Sequence, residues 1–324
     1  MSQKPTFIKD LSLPVIAAPM FLISGPKLVI ECCKNGIVGT FPALNQRTSE
    51  GFEEWLIEIK TSLQKFEEET GKKAAPYGVN LIVHPTNPRL EADIKLCIKH
   101  KVPIVITSLG AVSMVVDAIH SYGGLVFHDI IKKRHAEKAQ EAGVDGLILV
   151  AAGAGGHGGT INPMSLVAEI KKFFKKTIIL SGCISTGRDI ASALQMGADV
   201  AYMGTRFINT AESMAPEEYR EMVIDAGAGD VVYTAAVSGV HANFLGKSLK
   251  AAGLTDEDLK KDTKIDFGKE LDTEAKAWKT IWSAGQGATM IESTLPITDL
   301  VAKLKSEFKA AIEDQYKILE NYPK

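Results

Sequence analysis

With 324 residues, 45% hydrophobic and 23% charged, the chain can bury a large core and carries no disordered or fibrous signature. A formal net charge of -2 and a pI near 6.4 give no electrostatic footprint for nucleic acid. The amino-terminal residues lack an apolar leader, and no apolar run approaches the roughly 18 residues of a membrane span, so a soluble cytoplasmic protein with no membrane partner is expected.

Short apolar runs alternate with longer amphipathic segments up to about residue 212, the pattern of repeated β–α units. In chain order, strands are predicted at Val15–Pro19, Ile37–Pro42, Tyr77–Ile82, Pro103–Ser108, Leu125–Asp129, Leu147–Ala151, Ile178–Ser181 and Val200–Met203. Helices lie between them, such as Pro26–Lys34, opened by proline and closed by Asn35-Gly36, and Arg188–Met196, closed by Gly197. Eight units match the count of an α/β fold of the closed (β/α)8 TIM barrel type, although counting leaves an open doubly wound sheet as an alternative. The four cysteines, Cys32, Cys33, Cys97 and Cys183, form no C-x-x-C pair, so neither a disulfide framework nor a metal site is expected.

After Thr205 the regularity breaks. Residues 213–282 carry Gly227 and Gly229, Tyr233-Thr234, Ser238-Gly239 and a lysine/aspartate-rich stretch. They read as a cap inserted between the last strand and the last helix, with 1–212 and 283–324 forming the barrel. Ile297, Leu300, Val301, Leu304, Phe308 and Ile312 stand at helical spacing and would form that last helix.

The densest local signal is Ala151-Ala152-Gly153-Ala154-Gly155-Gly156-His157-Gly158-Gly159. Glycine loses the most backbone freedom on folding, so such a run is expected where the chain bends sharply or approaches a ligand closely. His157 is therefore the first functional candidate, and a mobile turn with a solvated histidine is the plainer alternative. Gly153-x-Gly155-x-x-Gly158 also spells the dinucleotide fingerprint. Pro163 follows quickly, however, and about 20 residues on lies Ile178-Ile179-Leu180 rather than an acid, so a Rossmann site is rejected.

In a barrel, functional groups gather after the strand C-termini. Ala18-Pro19-Met20, Asn80, His128, the His157 loop, Ser181-Gly182 and Gly204-Thr205 all fall there. The loops Ser181–Gly187 and Met203–Thr205 follow the seventh and eighth strands, where barrels commonly bind phosphate through glycine N–H groups and hydroxyls. Either loop alone also fits ordinary turn chemistry.

In that order, Ala18-Pro19-Met20, Gly78-Val79-Asn80, Gly155-Gly156-His157, Ser181-Gly182, Met203-Gly204-Thr205 and Trp282-Ser283-Ala284-Gly285-Gln286 resemble the FMN-dependent nitronate monooxygenase family, formerly 2-nitropropane dioxygenases, over nearly the whole chain. The resemblance implies FMN, with Ala18, Pro19, Met20 and Asn80 facing the ring, Gln286 near it, and Ser181, Gly182, Gly204 and Thr205 holding the phosphate. His128, Ala151, Gly156 and Cys183 complete the expected cofactor set, and His157 takes the place of the catalytic histidine. The implied reaction oxidises an alkyl nitronate, or a nitroalkane, with molecular oxygen to a carbonyl compound and nitrite. Imidazole suits removal of the α-proton of a neutral nitroalkane; with preformed nitronate His157 would position the anion. The family also includes NAD(P)H:quinone reductases, and enoyl reductases are relatives. NAD(P)H-driven reduction of a quinone or enoyl thioester is thus the second expectation, and a non-catalytic FMN-binding barrel the third. A homo-oligomer remains open.

Two residues depart from the pattern. Cys183 stands where a second glycine is often found, so its side chain must turn away from the phosphate. Asp129 stands where some relatives carry a lysine near the flavin, and an acidic group cannot stabilise reduced flavin as a lysine does. Of the other histidines, His84 stands in a candidate loop over the site but is not expected to touch substrate, His241 in the cap is open to a structural role as much as to shaping the substrate pocket, and His100, His120 and His135 are expected to be solvated on helices.

Overall fold

Eight parallel strands close into a barrel: β1 (Val15–Ala17), β2 (Val38–Pro42), β3 (Tyr77–Ile82), β4 (Ile104–Ser108), β5 (Leu125–Ile130), β6 (Gly146–Val150), β8 (Thr177–Ser181) and β9 (Val200–Met203), with β9 pairing back onto β1 at Ile16 and Tyr202. The structure is a computed structural model describing residues 5–110, 112–237, 239–261 and 280–322. Closure settles the alternative left open by counting in favour of the TIM barrel.

The near-continuous apolar strands follow from burial on both faces. Ile16, Val38, Ile104, Ile106, Phe127, Ile148, Ile179 and Val200 fill the barrel interior, while their neighbours Val15, Val105, Val126, Leu147, Leu149 and Leu180 join the layer under the helices. Phe7 and Ile8, on the short α1 (Phe7–Asp10), pack against the interior cluster, and the Phe7 and Phe127 ring centroids are 6.4 Å apart.

The helices alternate with the strands: α2 (Pro26–Lys34), α3 (Ser49–Thr70), α4 (Leu90–His100), α5 (Ser113–His120), α6 (Lys133–Glu141), α7 (Pro163–Lys171) and α8 (Gly187–Met196). The last of these is defined by local chemistry at both ends. Thr186 and Asp189 form a reciprocal capping box at its start, and Gly197 ends it at φ +107.

After β9 come α9 (Thr205–Ile208), α10 (Glu217–Asp225), β10 (Val231–Thr234), β11 (Ala242–Leu245) and α11 (Gly246–Ala251), before the long α12 (Ile297–Glu320) returns against α8 and α2. Part of the expected cap, 262–279, and Ser238 lie outside the described residues. A second sheet, in the order β10-β11-β7, recruits β7 (Gly156–His157) from the glycine run. The sequence pattern there points to a loop; β7 is too short and too glycine-rich to show strand alternation, and only pairing with distant β11 makes it a strand. Among the described residues no helix is long and apolar enough to cross a membrane.

Candidate active site

The strand C-termini open into one cavity of about 1390 Å³. Its wall includes Ala18, Pro19, Met20, Asn80, His128, Gly156, His157, Ser181, Gly182, Cys183, Gly204 and Thr205, so twelve of the fourteen candidate residues meet there. Ala151 and Gln286 do not line it. Ala151 is fully buried just behind, its N–H donating to the Ser181 carbonyl at 3.1 Å. Gln286 is exposed; its N–H donates to the Gly153 carbonyl at 2.9 Å and its Oε1 lies 3.8 Å from Cys183 Sγ.

Two glycine-bearing segments explain each other. A Cβ on Gly155 would come within 2.7 Å of Gly285 N, and one on Gly285 within 2.4 Å of the Gly153 carbonyl oxygen. Gly155 and Gly285 therefore serve a close approach between two backbones. Gly156 differs: a Cβ there would meet nothing within 4 Å, but φ is +68, the left-handed region that favours glycine.

His157 is held by its backbone. Ala242 pairs with it across the antiparallel β7–β11 ladder, Asn243 Nδ2 donates to the Ala154 carbonyl at 2.6 Å, and the Tyr233 hydroxyl donates to the Gly158 carbonyl at 3.0 Å. The side chain is half-buried on the cavity wall, and desolvation lowers its pKa to about 4. At neutral pH the ring is therefore an uncharged proton acceptor.

The end of β5 supplies two more titratable groups. His128 Nδ1 lies 2.8 Å from Thr107 Oγ1, and burial, reinforced by His135, lowers its pKa to about 4. Beside it, Asp129 Oδ2 accepts from the Ser108 hydroxyl at 2.5 Å, and Ser108 Oγ accepts from Asn80 Nδ2 at 2.9 Å. Asp129 Oδ1 is buried without a hydrogen-bond partner, and burial raises the carboxyl pKa to about 7 against the opposing pull of Ser108. Sequence reasoning missed Ser108 and Tyr202, which also line the cavity. Their position at strand C-termini was the available signal.

On the far side, Tyr219 and Trp282 stack with centroids 5.0 Å apart, and Tyr233 stacks on His241 at the same separation. His84 and His241 both line the cavity. Of the three histidines expected to be solvated on helices, His120 is exposed and pairs with Asp145 at 2.8 Å, whereas His135 lines the cavity and His100 is 12% exposed, 2.6 Å from Glu53, because its helix face packs against a neighbouring element. Cys183 adopts φ +53, with Sγ 3.8 Å from the Gly153 carbonyl oxygen.

The sequence pattern of the nitronate monooxygenase family matches residues 4–307. A nitronate monooxygenase of Paraburkholderia phytofirmans is 26% identical, the alignment covering 93% of each chain. A (3aS,4S,5R,7aS)-5-hydroxy-7a-methyl-1-oxo-octahydro-1H-indene-4-carboxyl-CoA dehydrogenase of Rhodococcus jostii is 25% identical over 73% of this chain and 63% of its own length. The fold is shared with a nitroalkane oxidase from Streptomyces ansochromogenes, at 23% identity and a TM-score of 0.80, over 96% of this chain and all of the other. A match that runs through every barrel strand and on into the last helix leaves one assignment: the chain belongs to the nitronate monooxygenase family of oxidoreductases.

Proposed function

We propose that the cavity binds FMN and that the protein oxidises alkyl nitronates with molecular oxygen, giving a carbonyl compound and nitrite. The observation that carries the reading is His157, neutral and facing the same cavity as the glycine-bearing loops after β8 and β9. The residues fit a phosphorylated planar cofactor. A Cβ on Gly204 would make only ordinary contacts, the nearest at 3.6 Å to Ala18, so protein packing does not require glycine there and the open space suits a ligand. The cavity also exceeds the roughly 300–1,000 Å³ usual for a single small ligand, which supports a cofactor and a substrate together.

Ser181, Gly182, Gly204 and Thr205 would hold the phosphate, with Ala18, Pro19, Met20, Asn80 and His128 against the ring. Thr205 Oγ1 accepts from the Gly285 N–H at 2.9 Å, which leaves its own proton free for an anionic oxygen. Bound there, FMN supplies the electron transfer from substrate to oxygen. His157 removes the α-proton when the substrate arrives as neutral nitroalkane, and orients the anion when it arrives as nitronate.

Oxygen uptake and nitrite release on adding propyl-2-nitronate, with no NADH present, test the proposal. A second reading, NAD(P)H-driven reduction of a quinone or a thioester-borne substrate, draws support from the cavity volume and from the CoA-ester dehydrogenase among the relatives. NADH oxidation that starts only on adding quinone or enoyl thioester, with nitronate inert, would select it.

A further inference from the structure

The proposed substrate is an anion, yet the cavity offers it little positive charge. Among the described residues lining it, Lys138 on α6 is the single lysine or arginine, and it lies on the helix layer rather than at a strand end. Of the two carboxylates among the described residues on the wall, Glu141 is exposed at the end of α6, and Asp129 sits at the end of β5. No ion pair involves it among the described residues, its Oδ1 is buried without a partner, and its Oδ2 has only the Ser108 hydroxyl. Two negative charges sharing a weakly solvated cavity repel strongly, and the carboxylate can remove its own by protonation.

We propose that Asp129 takes up one proton from solvent when the anionic substrate binds and returns it on release, so that the cavity receives a nitronate best with this carboxyl neutral. The inference rests on the nitronate reading above. Burial already raises this carboxyl to about 7, so both forms are accessible near neutrality. Other titratable groups share the wall. Tyr202 of β9 keeps its phenolic proton through burial and the nearness of Asp129; His128 and His157 are held neutral by burial; His135, Lys138 and Glu141 belong to α6. Ser108 donates to Asp129 and so favours the ionised form, opposing the uptake.

Methacrylate is a planar carboxylate with the heavy-atom outline of propyl-2-nitronate, does not react, and stays ionised above about pH 6. Its binding to the flavin-loaded protein, followed by calorimetry in buffers of different ionisation enthalpy, counts the protons taken up. Uptake should approach about one proton per ligand near about pH 8.5 and vanish near about pH 6, with affinity falling about tenfold or more between them. Asp129→Asn should abolish the uptake and flatten the affinity. Ser108→Ala, which removes the hydroxyl favouring the ionised carboxylate, should move the transition to higher pH and serves even if the first variant does not fold.

Proton uptake that persists in Asp129→Asn would place the proton elsewhere, with His157 next in line, and overturn the proposal. Nitronate-driven oxygen uptake accompanied by methacrylate binding that is absent or independent of pH would overturn it alone. Absence of both methacrylate binding and nitronate-driven oxygen uptake would bring down the nitronate reading, and this inference with it.

Discussion

Gly156 and Asn243 face each other across the β7–β11 ladder, and the Asn243 amide reaches past that pair to the Ala154 carbonyl at 2.6 Å. The side chain that fixes the turn before His157 thus comes from a strand far along the sequence. Asn243→Ala should leave a buried carbonyl unsatisfied, lower stability by about 1–3 kcal/mol, and reduce kcat about tenfold at full flavin content. Urea unfolding and steady-state kinetics measure the two effects separately. Lost stability with unchanged kcat would make the clamp structural only.

His157→Ala should keep the fold and the flavin while losing roughly 10²–10⁴-fold in turnover of neutral nitroalkane. With preformed nitronate the loss should be much smaller, because that substrate has already given up its proton. Equal losses on both substrates would reject the base role in favour of anion positioning.

Gly204 has φ -101, a conformation open to any residue, and a Cβ added there would find its nearest packing neighbour 3.6 Å away. Gly204→Val should therefore fold normally. The added methyls would occupy the space assigned to the phosphate and cost contacts worth roughly 1.5–3 kcal/mol each, so the purified variant should be colourless. A folded variant retaining a full complement of FMN would remove that loop from the phosphate site.

The pH profile follows from burial. For His157 acting as a base, the acid limb of kcat/KM on neutral nitroalkane should fall near about pH 4 rather than near the ordinary histidine value of about 6.5. The stability sign is fixed by the same shift. His128 and His157 have folded pKa values near 4, below their unfolded ones, so their contribution is full above about pH 6.5 and is lost as pH falls toward 4. Urea midpoints recorded down that range should decline, and less so in the double substitution to Gln.

Asp129 has the opposite sign. Its folded pKa of about 7 lies above the ordinary value near 3.9, so the stability linked to its proton is present below about pH 3.9 and is lost as pH rises through 7. Asp129→Asn should gain on the wild type progressively between those limits and hold a constant advantage above them. A urea-midpoint difference that stays flat from about pH 4 to about pH 8 would contradict a buried, unpaired carboxylate.

The barrel strands were legible because burial on both faces writes an apolar run at each of them, and turn residues separate the runs. The predicted and observed bounds agree for β3 and β9 and elsewhere differ by one or two residues, as where β1 ends at Ala17 before Pro19, which has no N–H for the ladder. His157 was legible for a partly different reason than its true setting: Gly155 answers to close contact with the Gly285 backbone as well as to the cavity.

The amino-acid sequence alone determined the eight-unit alternation, the family motifs and the residue types waiting at the strand ends, since these depend on local periodicity and on short spacings along the chain. Only the tertiary structure decided that Gly156-His157 is a strand, that Gln286 turns outward to Cys183, that His135 meets the cavity, and that the Ser108 hydroxyl lies 2.5 Å from Asp129 Oδ2. Each of those facts depends on which distant segment packs alongside and how much water it excludes, and neither quantity is encoded in the neighbours of a residue along the chain.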